Sequence, residues 1–140
     1  MDGRSRENMP SGRSTIAIIE DDPSFRCAIE RLLGAFGFVV HTFASAEEFL
    51  KNVPTSHACL VIDIHLPGML GIDLIDHLAA SGTPRPAIFI TAQEDDDLRQ
   101  RASLIPNSVY LRKPFAGKAL LEAVCSLLKS NGSGEKSSET

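Results

Sequence analysis

Five short apolar runs, separated by longer segments of helical periodicity, constrain this chain more than any other feature. The runs are Thr15-Ile-Ala-Ile-Ile19, Phe38-Val-Val-His-Thr42, Ala58-Cys-Leu-Val-Ile62, Ala87-Ile-Phe-Ile90 and Ser108-Val-Tyr-Leu111. All are β-prone and nearly unbroken in apolar character, as strands are when both faces of a parallel sheet are covered. In the first intervening segment Phe25, Ile29, Leu32, Leu33 and Phe36 form one helical stripe, with Gly34 and Gly37 near its end. Leu120, Leu121, Val124, Leu127 and Leu128 repeat that stripe near the end of the chain. Helices are also predicted over 46–51, 70–80 and a polar, Asp-rich stretch from Glu94 to Ala102. The last of these has the fewest apolar residues to bury and is expected to be the least stable. Five strands alternating with five helices predict a doubly wound α/β sandwich.

A length of 140 residues suits one domain. Residues 1–14 are polar and Gly- and Ser-rich and read as a loose N-terminal arm, and residues 130–140 as a similar C-terminal tail. The folded unit is therefore expected over 15–129. Fourteen Lys and Arg against eighteen Asp and Glu leave a charge of −4, so no bulk positive field exists to draw in nucleic acid. Three cysteines, Cys27, Cys59 and Cys125, lie in or beside apolar runs and are expected to be buried free thiols in a reducing compartment, which predicts a cytoplasmic location. No run approaches the roughly 18 apolar residues of a membrane span, and the first residues lack the apolar core of a signal peptide.

In a doubly wound sheet, ligands bind beyond the carboxyl ends of the strands. Glu20-Asp21-Asp22-Pro23 follows the first run. One carboxylate there suits a helix cap; three together repel one another unless a cation is present, and oxygen ligands favour Mg²⁺. Asp63 ends the third run, where it is either the start of an Asx-type turn or a carboxylate free to act as nucleophile or metal ligand. Thr91 follows the fourth run and Lys113-Pro114-Phe115 the fifth. Each alone reads as a helix cap or a surface lysine. Together they supply a metal clamp, a nucleophile and two partners for phosphoryl oxygens.

The ordered motifs Ile18-Ile-Glu-Asp-Asp-Pro-Ser, Val61-Ile-Asp-Ile-His-Leu-Pro-Gly-Met, Phe89-Ile-Thr-Ala and Arg112-Lys-Pro-Phe closely resemble the receiver domain of two-component response regulators. The resemblance covers about 15–129 and implies a flavodoxin-like five-stranded parallel sheet in the order 2-1-3-4-5, flanked by five helices. It implies Asp63 as phosphoacceptor, Glu20 and Asp21 as the acidic pair, and Asp22 as the variable third position. Glu20 stands where the family more often has Asp. The backbone carbonyl of His65 would complete an Mg²⁺ site with Glu20, Asp21 and Asp63. Thr91 matches the switch hydroxyl, Tyr110 the aromatic switch residue, Lys113 the family lysine, and Pro114 a turn that typically has a cis bond. His65 and Gln93 occupy positions from which receivers tune dephosphorylation, or else are plain loop side chains. Leu104-Ile-Pro-Asn107 replaces a Gly-Ala pair common in the family, which predicts an unusual loop beside the output face.

On this resemblance the chain is a single-domain response regulator and not an enzyme in the turnover sense. It would take phosphate from a histidine kinase or phosphotransfer protein. It would then act on a target protein, or a second copy of itself, through the face formed by the fourth helix, fifth strand and fifth helix. Two other readings stay open. An Mg²⁺-dependent aspartate-nucleophile phosphatase would want a second Asp two positions after Asp63, where this chain has His65. A receiver used only as a phosphorylation-independent binding module would not need the full set of site residues. His41, His57 and His77 show no metal-ligand spacing with the cysteines and are expected at the surface or at strand ends.

Overall fold

The computed structural model describes residues 14–51 and 57–132. The elements alternate in the expected order: β1 (Thr15–Ile19), α1 (Pro23–Ala35), β2 (Val39–Phe43), α2 (Ala46–Lys51), β3 (Cys59–Asp63), α3 (Gly71–Ala80), β4 (Ala87–Thr91), α4 (Asp96–Ser103), β5 (Ser108–Arg112) and α5 (Gly117–Gly132). The strands form one parallel sheet in the order β2-β1-β3-β4-β5, with its reversal point between β1 and β3. Apolar side chains alternate across it. Ala17, Ile19, Leu60, Ile62 and Phe89 pack towards Phe49 of α2 and Ile72 and Leu78 of α3. Ile16, Ile18, Val61, Ile88 and Ile90 pack towards Ile29 and Leu33 of α1 and Leu120 and Val124 of α5. Each buried Ile or Leu is worth about 1.5–3 kcal/mol relative to exposure, so the two layers hold the central strands in register.

α1 starts where chain chemistry says it should: Asp22 caps it by accepting from Ser24 N at 3.0 Å, and Pro23 takes the first position. α4 differs in kind. Ala102 is its one buried residue, with Leu98 partly buried against the core, and ionic contacts join it to its neighbours. Arg101 bridges from α4 to Asp73 and Asp76 of α3 at 2.7 and 2.8 Å, and the Arg99 guanidinium lies 5.4 Å from the Tyr110 ring centre. Arg112 pairs with Glu94 at the start of this segment.

Several expectations change. β2 is an edge strand with Val39 and His41 exposed, so its apolar run does not mark burial on both faces. Of the cysteines Cys59 alone is buried, and burial pushes its thiol up to about 12; Cys27 and Cys125 are exposed, because both fall off the apolar stripes of α1 and α5. His57 is beside a strand end, just before β3, but is not at the surface: it is 3% exposed, wedged among Phe43, Phe49 and His41, with its Nε2 3.0 Å from His41 Nδ1. At the chain limits, the Ser14 carbonyl accepts from Val39 N at 3.0 Å and so belongs to the sheet, while α5 continues to Gly132. The rest of the predicted arm and tail, residues 1–13 and 133–140, lies outside the described residues. No helix among the described residues is long and apolar enough to cross a membrane.

Candidate functional site

Parallel pairing brings the ends of β1, β3, β4 and β5 to one edge, and with them Glu20, Asp63, Thr91 and Lys113. Asp63 is the last residue of β3 and 6% exposed. Its Oδ1 accepts from His65 N at 2.8 Å, which aims the carboxylate, and its Oδ2 lies 3.3 Å from Lys113 Nζ. Glu20, 1% exposed, accepts from the Asp22 amide at 3.0 Å through Oε2 and from Lys113 Nζ at 3.2 Å through Oε1. Asp21 is exposed at the mouth. One ligand oxygen from each of Glu20, Asp21 and Asp63 falls within 4.8 Å of the others.

The charge balance of this pocket is unequal. Burial, with the Asp63 carboxylate adding to it, pushes Glu20 up to about 7 against the pull of the Asp22 amide and Lys113. Burial works against the Lys113 ammonium, but Asp63 and Glu20 outweigh it and hold its pKa above the ordinary lysine value. One ammonium thus faces two carboxyl groups, with the Asp21 carboxyl a third in the cluster. Clustered carboxyl oxygens with too little positive charge to balance them are the setting into which a small divalent cation fits. Glu20, Asp21 and Asp63 are the side chains that would hold Mg²⁺.

Lys113 itself is placed by groups that sequence reasoning missed. Its Nζ lies 4.2 Å from the centre of the Phe25 ring, which meets Phe115 edge-on at 5.8 Å. The Lys113 amide donates to the Thr91 carbonyl at 2.7 Å, extending the β4–β5 pairing past the sheet edge, and the following peptide bond to Pro114 is cis, as expected. Arg26, one turn into α1, donates to the Glu20 carbonyl at 2.8 Å. Gly71 is the other missed residue: a Cβ there would stand 2.5 Å from the Asp63 carbonyl oxygen, so only glycine lets α3 begin against the strand end. Its signal in the sequence is a glycine at the first position of a helix, where a cap alone does not call for one.

Thr91 is 1% exposed, and its hydroxyl touches the Gln93 amide at 3.1 Å, the Gln93 carbonyl at 3.2 Å and His65 Nδ1 at 3.1 Å. The Gln93 side chain is exposed. Tyr110, half-buried, lies away from the acidic mouth and packs towards α4. In the loop before β5, Leu104 is 78% exposed and Asn107 takes a φ of 58°. Beside it, Ala102, Ile105, Tyr110 and Leu127 line a groove of about 470 Å³.

Residues 16–125 match the response regulator receiver domain model. The chain is 35% identical over 123 residues to nodulation protein W of Bradyrhizobium diazoefficiens, covering 87% of this chain and 54% of that protein. It is 31% identical over 119 residues to the transcriptional regulatory protein TdiR of Thauera aromatica, covering 84% and 52%. The chain therefore spans about half the length of these curated relatives. Among solved structures, the response regulator StyR superposes with a TM-score of 0.81 at 37% identity, over 91% of this chain and 65% of that one. With the fold, the strand-edge residues and these likenesses in agreement, the chain belongs to the response regulator receiver domain family.

Proposed function

We propose that Asp63 is a phosphoacceptor, taking a phosphoryl group from the phosphohistidine of a histidine kinase or phosphotransfer protein. The observation that carries this is the Asp63 carboxylate itself: one oxygen is aimed by the His65 amide and the other faces the Lys113 ammonium, at the mouth of the sheet. A carboxylate oxygen attacks phosphorus, the phosphorus–nitrogen bond breaks, and the electron pair leaves with the donor imidazole. Lys113 is placed to bind a phosphoryl oxygen, and the Thr91 hydroxyl to take another. Mg²⁺, held by Glu20, Asp21, Asp63 and the His65 carbonyl, would offset the negative charge gathered on those oxygens.

Residues 15–129 act as the receiver unit in this reading, and phosphorylation is its own chemistry only in the sense of accepting and slowly losing phosphate. The signal leaves through α4, β5 and α5 to a target protein or a second copy. Similarity to transcriptional regulators supports an effector role, and a charge of −4 argues against direct nucleic-acid contact by this domain. A cytoplasmic location follows from a kinase donor. The test is transfer of labelled phosphate from candidate kinases and phosphotransfer proteins with Mg²⁺ present. Labelling of the parent and none of Asp63→Asn supports the assignment; Mg²⁺-dependent labelling of Asp63→Asn at the parent rate refutes it. Catalytic release of phosphate from small phosphate esters would favour the phosphatase reading instead.

A further inference from the structure

The Thr91 hydroxyl has one hydrogen and two lone pairs, and three partners surround it. The Gln93 amide can only donate, so it takes one lone pair. The Gln93 carbonyl can only accept, so it takes the hydrogen. His65 Nδ1 can do either, and the one role left is to donate to the second lone pair. Every valence of the hydroxyl is then used, in a residue that is 1% exposed.

Resting on the phosphoacceptor reading, we infer that His65 stands as the Nδ1–H tautomer and is a positioning residue, pinning the Thr91 hydroxyl so that its hydrogen is committed to the Gln93 carbonyl. Rotation about the Cβ–Oγ bond turns the hydrogen and both lone pairs together. Redirecting the hydrogen to a phosphoryl oxygen therefore disturbs the bond from His65 as well as the bond to Gln93. His65 biases the pair towards the resting arrangement, and a phosphoryl group must outcompete that bias. The side chain thus acts on Asp63 chemistry through Thr91, separately from the backbone amide of the same residue, which aims the Asp63 carboxylate.

The imidazole nitrogens of His65, read by long-range nitrogen–proton correlation in the neutral ring with no phosphoryl analogue present, test the bond directly. The expected spectrum has Nδ1 protonated, and Thr91→Val shifts the ring towards the Nε2–H form. Beryllofluoride binding with Mg²⁺ tests the bias. Loss of one hydrogen bond in His65→Ala tightens binding by roughly two- to tenfold, while His65→Asn, whose side-chain amide places an N–H where Nδ1–H stood, stays within about twofold of the parent. An Nε2–H ring in the parent, or His65→Ala binding with the parent affinity, overturns the inference. A parent that binds no beryllofluoride at all overturns the phosphoacceptor reading, and the imidazole spectrum still decides the bond.

Discussion

Lys113 Nζ lies 3.3 Å from Asp63 Oδ2 and 4.2 Å from the centre of the Phe25 ring, so the ammonium is held by the carboxylate and an aromatic face together. Lys113→Met keeps the stem and deletes the charge. It leaves Glu20 and Asp63 facing each other uncompensated, and the expected cost is about 1–3 kcal/mol, less than for a fully buried pair because the ammonium is partly exposed. Phosphate labelling should fall with it. Urea unfolding and labelling of the same preparation measure both; a variant as stable as the parent and labelled as fast contradicts the arrangement.

Magnesium binding should stabilise the fold. At about a hundred times its dissociation constant, Mg²⁺ adds about 2.7 kcal/mol to the unfolding free energy. Asp21→Asn should lose most of that increment, yet Asp21 is exposed, so the metal-free protein should change by no more than about 0.5 kcal/mol. Thermal melts with and without chelator separate the two effects.

Gly71→Ala should be costly out of proportion to one methyl group. The new Cβ meets backbone, the Asp63 carbonyl oxygen at 2.5 Å, which cannot swing aside as a side chain would. Destabilisation of about 1–3 kcal/mol is expected, together with displaced amide resonances for Asp63 to His65. An unchanged amide spectrum would show that the close approach is not binding.

His57 gives the stability a pH dependence of definite sign. Burial, helped by His41 and Arg85, lowers it from 6.5 to about 4. The unfolded chain therefore binds the proton more tightly. Stability from this group is complete above pH 6.5 and is lost progressively as pH falls towards 4, by on the order of 2–3 kcal/mol. His57→Leu removes the group, so the difference between parent and variant unfolding free energies should shrink in the variant's favour across that window. A constant difference from pH 7 to 4 would contradict the burial.

Arg101→Met should loosen α4 more than it weakens the fold. The two ion pairs to Asp73 and Asp76 are partly exposed, so a global loss under about 1 kcal/mol is expected. Amide exchange in α4 should nevertheless speed up, and added salt should reproduce part of that effect in the parent. Unaltered exchange in α4 would mean that apolar contacts alone dock it.

The strands were legible to within a residue because a parallel sheet covered on both faces must be written as apolar runs, and the site was legible because such runs end at it. Glu20, Asp63, Thr91 and Lys113 could be read as one constellation from position alone. What could not be read depends on packing across the chain. Phe25 looks like any other member of the α1 stripe until it is found against Lys113. The same apolar runs hide whether a strand is central or an edge, which is why β2 was misjudged and the burial of His57 went unseen: period and composition report neighbours in sequence, whereas His57 owes its burial to Phe43 and Phe49. Cys27 and Cys125 failed for the opposite reason, since a small apolar residue beside a stripe need not lie on it.

All five strands run in one direction, so Glu20, Asp63, Thr91 and Lys113 gather at one rim and, among the described residues, the opposite rim carries none of them. The exposed turn that follows α3, where Gly82 takes a φ of 84° and Ser81 beside it does not, lies on that far rim. A fluorophore or a spliced reporter placed there would travel with the domain while standing a full strand length from Asp63.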